Sequence, residues 1–149
     1  MKRVLILVLL LAGVTSAGSG PALAAGTQPF FQGYWRCQNG AVLNIAPAFG
    51  PWLSYRSTRG SAIEQSYVYH DNVGGGWVNT GVDSTGGYWT MTSPGWQNNQ
   101  LTFTGTYTNN ARTESQRQII TRNASGAMTV QLRRNGSMID QTGCNRPRS

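Results

Sequence analysis

The chain has 149 residues, with 12 lysines and arginines against 5 carboxylates and a formal charge of +7 at pH 7. Set aside Lys2 and Arg3, and ten arginines face five carboxylates, a formal +5 with no lysine. Arginine pairs bidentately with carboxylate or phosphate, which suits an anionic protein or envelope partner. Only Arg133-Arg134 and Arg146-Pro147-Arg148 are clustered, however, and such scatter is the pattern of a solvated basic surface.

At the N-terminus, Lys2 and Arg3 precede the apolar run from Val4 to Leu11, and small residues lead on to Ala22-Leu23-Ala24. A charged start, an apolar core too short to span a bilayer and an A-x-A site predict a secretory signal peptide over 1–24. The expected location is secreted or periplasmic, which makes nucleic acid an improbable partner. No second apolar segment predicts a membrane span. About 125 residues then remain, enough to bury one core and too few for two. Residues 25–32 read as an irregular lead in which Pro29 discourages pairing and Phe30 and Phe31 cover one end of the domain.

From Gly33 to the end at 149 the chain reads as one β domain, and no window sustains a helical period. Ala41, Leu43 and Ile45 alternate with polar neighbours before Pro47. Leu101, Phe103, Gly105 and Tyr107 share one face of a strand whose other face is Thr102, Thr104, Thr106 and Thr108. Met128, Val130 and Leu132 alternate in the same way with Thr129, Gln131 and Arg133. Each has a core side and a water side. Asn39-Gly40 and Asn135-Gly136 predict hairpins pairing Gly33–Gln38 with Ala41–Ala46 and Ala127–Arg134 with Ser137–Cys144. Phe49-Gly50-Pro51, Gly74-Gly75-Gly76, Gly86-Gly87, Pro94-Gly95 and Asn109-Asn110 mark further turns. The fold class is all-β: a small antiparallel meander closed as a barrel of about eight to ten strands, since closure removes exposed edges. In an oxidising compartment the two cysteines predict one bridge, Cys37 to Cys144, joining the first and last strands.

Gly33-Tyr34-Trp35 places a G-x-W on the first strand, and here the chain resembles the calycin-type barrels, the lipocalins and fatty-acid-binding proteins. That resemblance implies that Trp35 closes one barrel end and that Arg133, Arg134 or Arg146 covers it. The run from Trp35 to Ile45 is also similar to the aromatic-x-Cys-x-x-Gly-x-x-Leu-x-Val opening of periplasmic inhibitors of c-type lysozyme, although the chain lacks their later loop motif.

The aromatics carry the expectation of a site. Placing Ile63, Tyr67 and Tyr69 on the same interior as Trp89, Met91, Phe103 and Tyr107 predicts a lining for an apolar or aromatic ligand. Trp52 and Trp77 add to it, and Arg56 and Arg117 serve as orienting groups. The competing expectation is that these side chains simply fill the barrel. His70 is the single histidine, the carboxylates appear singly and no G-x-S-x-G elbow exists, so neither catalysis nor a metal or other cofactor is expected. The functional expectation is an exported, non-catalytic binding protein for a small hydrophobic ligand. The alternative is an inhibitor or envelope interaction module with a filled core.

Overall fold

A computed structural model of the chain describes residues 32–50, 52–71 and 73–147. The segment expected to be a signal peptide (1–24) and all of the expected lead segment but Gln32 lie outside the described residues. Eleven strands follow one another: β1 (Gly33–Cys37), β2 (Val42–Pro47), β3 (Leu53–Arg59), β4 (Ala62–Asp71), β5 (Gly76–Asp83), β6 (Tyr88–Ser93), β7 (Trp96–Gln97), β8 (Gln100–Asn109), β9 (Arg112–Arg122), β10 (Met128–Arg134) and β11 (Ser137–Asn145). Each pairs antiparallel with its sequence neighbour, β6 bypasses the two-residue β7 to pair with β8, and β1 meets β11. The result is a ten-stranded closed antiparallel barrel, with β7 as a short flap on β8.

Closure needs the last strand to find the first, and that seam is thin. Only Arg36 with Asn145 and Cys37 with Cys144 are in register across it. The expected disulfide sits there, joining Cys37 to Cys144 with their Cα atoms 4.0 Å apart. A bridge of this kind persists in oxidising compartments.

Both predicted Asn-Gly hairpins form, but by different routes. Asn135 and Gly136 both take positive φ, 47° and 82°, as the tight turn between β10 and β11 requires. Between β1 and β2 only Gly40 does. There Asn39 uses its side chain instead, accepting a bond from the Ala41 amide and donating to Asp140.

The predicted inward faces hold: Trp35, Leu43, Ile45, Leu101, Phe103, Tyr107 and Met128 are all buried. Two interior glycines make room for large neighbours. At Gly81, a Cβ would stand 2.5 Å from both Ser66 Cβ and Trp89 Cζ2, and at Gly105 it would collide with the backbone of Thr90 and Met91. The absent side chain at Gly81 leaves room for the Trp89 ring, and the one at Gly105 lets the β6 backbone approach β8 closely.

The G-x-W tryptophan lies toward the barrel end where the described residues begin and end. Trp35 is fully buried, and the Arg146 guanidinium lies 4.8 Å from its ring centroid. Arg146 also donates to the Gln32 carbonyl. Of the three arginines considered, Arg146 is the one that does this. Among the described residues no helix is long and apolar enough to cross a membrane.

Candidate ligand site at the polar mouth

Register sorts the interior into two unlike halves. Near the termini, Ile45, Leu53, Val68, Leu101, Phe103, Ile120 and Met128 surround an apolar void of about 30 Å³. Toward the opposite end, in-phase positions turn polar: Ser57 on β3, Glu64 on β4, Gln118 on β9, Asp140 and Thr142 on β11. With Asn39 and Tyr55 they line a second void of about 60 Å³, room for roughly four waters. Tyr55 and Val130 line both voids and so separate them. Burial, with the Glu64 charge beside it, pushes the Tyr55 phenol far up, so it is a neutral hydroxyl.

Four of the chain's five carboxylates come to this mouth, and three already have donors. Asp83 accepts from the Thr85 and Gly87 amides, the Thr85 hydroxyl and the Tyr107 hydroxyl, the last at 2.8 Å. Burial works to raise its pKa, but these bonds outweigh it and hold Asp83 below the usual range. Asp140 accepts from Asn39 at 2.8 Å and from Arg59 at 3.0 Å. Glu114 accepts from the Asn135 side chain. Glu64 accepts no hydrogen bond from the described residues. Burial pushes its carboxyl up and Asp83, its Cα partner across β4 and β5, adds to that, while Arg134 and Arg59 pull the other way.

The remaining mouth side chains are tied down. Arg134 lies over the Tyr107 ring at 3.4 Å and donates to Gln116 at 2.8 Å. Trp89 donates to Asn79, which donates to Gln118. A rigid frame of paired groups therefore surrounds one carboxylate with spare acceptor capacity.

The sequence-predicted site residues divide between the two sides of the wall. Trp77, Trp89, Met91, Phe103 and Tyr107 are buried inside. The interior placement expected for Ile63, Tyr67 and Tyr69 is corrected: Leu53 pairs with Val68 and Tyr55 with Ser66, so Val68, Ser66 and Glu64 take the inward phase of β4 and the two tyrosines point out. Trp52 joins them outside, stacked on Tyr69 at 4.1 Å and edge-on to Tyr67 at 6.2 Å. Arg56 and Arg117 are exposed on the outer wall, out of phase with the interior, so neither orients a ligand inside the barrel. His70 packs edge-on to Trp77 near the terminal end, beside Asp71 and remote from the four carboxylates of the mouth. Among the described residues no group of three or more potential ligands is placed to hold a metal.

Glu64, Asp140, Ser57, Gln118 and Arg134 were missed as site residues. Their signal is phase: Arg134 continues Met128, Val130 and Leu132, and Asp140 precedes Thr142 and Cys144, each at a spacing of two.

Fold and mouth together define the class: a closed antiparallel β-barrel, compatible with calycin-like architecture, with a filled apolar floor and a polar mouth. No protein-family model matches the chain, and no curated protein matches it.

Proposed function

We propose that the chain is an exported, non-catalytic binding barrel whose mouth receives one small cationic or hydrogen-bond-donating group, such as an alkylammonium or guanidinium presented by a partner. The observation that carries this reading is Glu64, a partly buried carboxylate bordering a 60 Å³ polar void, with no hydrogen-bond donor among the described residues. A half-desolvated carboxylate gains more from a cation than an exposed one does, because water screens the pair less. The tied neighbours Asp140, Gln118 and Ser57 supply geometry without needing to rearrange. A void this size fits a head group rather than a whole hydrophobic ligand, for which pockets run to several hundred Å³. The leader and the disulfide support export.

The test is an amide chemical-shift titration with methylguanidinium and butylammonium, run beside a fatty-acid series. The reading expects saturable shifts at Ser57, Glu64 and Gln118, weakened at least about tenfold in Glu64→Gln. Shifts centred instead on Leu53, Phe103 and Ile120 with fatty acid would establish a hydrophobic carrier and overturn it.

A further inference from the structure

On the outer wall, Trp52, Tyr67 and Tyr69 form a surface that the mouth does not use. Trp52 is held at the head of β3 by its turn: its amide donates to the Phe49 carbonyl and its carbonyl accepts from Ala48. The paired register of Leu53 with Val68 then lays the indole over Tyr69, with planes 10° apart, so that one indole face is covered. Trp52 nonetheless stays 37% exposed, and Tyr67, its ring at 61° to the indole, is equally exposed. Three aromatic rings thus make a step on a wall where solvent would ordinarily select threonine or charge.

The neighbours of this step say what fits it. Tyr67 has Ser54 on one side and Thr80 on the other, and Gln65 donates to the Ser54 hydroxyl at 3.2 Å. Thr80 shares a hydroxyl contact with Thr90. These flanking groups are neutral and hydrogen-bonding. Asp71, at the end of the same strand, is engaged by its own turn, accepting from the Val73 amide. An acidic peptide or an anionic lipid surface calls for several cations here, and the flanking positions offer one, Arg56, the cross-strand partner of Gln65. An exposed aromatic face beside neutral amides and hydroxyls matches a pyranose ring, whose C–H face is apolar and weakly positive and whose edge is all hydroxyl.

We propose that the Trp52–Tyr67–Tyr69 step binds a neutral glycan, the sugar ring stacking on the free indole face and its edge bonding to Gln65, Ser54 and Thr80. This site stands apart from the mouth and does not depend on it. The test is calorimetric titration of the oxidised protein with cellohexaose and with chitohexaose, followed by Trp52→Ala, Trp52→Phe and Tyr67→Ala, each checked for native far-ultraviolet circular dichroism. Tyr88→Ala, an exposed aromatic on β6, serves as the control. Saturable binding of either saccharide is expected, with a loss of at least about tenfold in Trp52→Ala, partial retention in Trp52→Phe and no change in Tyr88→Ala. The proposal is overturned if neither saccharide binds, or if Trp52→Ala binds as well as the parent. It is also overturned if sedimentation shows concentration-dependent self-association that Trp52→Ala abolishes, which would make a second copy the occupant.

Discussion

Removing the bridge by Cys37→Ala together with Cys144→Ala is the sharpest perturbation of the fold. The bridge spans a sequence separation of 107. In the chain-entropy model a closed loop of that length contributes about 4.8 kcal/mol at 25 °C by constraining the unfolded chain. Both sulfurs are buried, and their loss adds about 1 kcal/mol of transfer free energy. The seam offers little to offset this, because two register pairs join β1 to β11 where seven join β10 to β11. The expected loss of about 5–6 kcal/mol is comparable with the whole stability of a marginal domain. Urea unfolding followed by far-ultraviolet circular dichroism and tryptophan fluorescence measures it, with amide exchange reporting opening at Arg36 and Asn145 first. A loss below about 2 kcal/mol with an unchanged m-value would refute the reasoning, since the seam would then close without help.

Glu64 makes a prediction about pH. Its carboxyl is raised above the ordinary 4.5, so its protonated form favours folding: that contribution is complete below 4.5 and is lost as pH rises through the raised folded value. Glu64→Gln should therefore be more stable than the parent at pH 7 in urea unfolding, and the difference should shrink toward pH 4; a less stable variant at pH 7 would contradict the assignment. Asp83, held low, acts in the opposite sense, with stability present above its ordinary 3.8 and lost as pH falls through the lowered value. At the β8–β9 turn, Ala111 takes φ of 61°, where a Cβ is strained. Ala111→Gly should relieve about 1 kcal/mol of strain, partly offset by unfolded-chain entropy, and raise the melting temperature by a few degrees. A lower melting temperature would show that the turn carries no strain.

Where a strand carried apolar residues on one face only, its inward side was legible. Leu101, Phe103 and Tyr107 against four threonines leave no choice, and the two cysteines and the G-x-W then indicate closure. On β4 either phase looks acceptable, because Tyr67 and Tyr69 compete with Ser66 and Val68. The apolar partners on β3, Leu53 and Tyr55, decide it, and that pairing is non-local. The mouth was hidden for a related reason. Glu64, Asn79, Gln116 and Gln118 occupy interior positions, and a rule that places polar residues outside assigns them to solvent. Their burial becomes intelligible only with their partners: Gln118 for Asn79, and Arg134 for Gln116.

The Cys37–Cys144 bond also changes what a protease can do to this domain. Residues 37 to 144 form a covalent loop that takes in the turns from Asn39-Gly40 to Asn135-Gly136. Cutting any one of those turns linearises the loop and releases nothing, since both new ends stay attached through the bond. The nicked chain keeps its strands tethered side by side, ready to pair again. A fragment of the loop leaves only after a second cut within it.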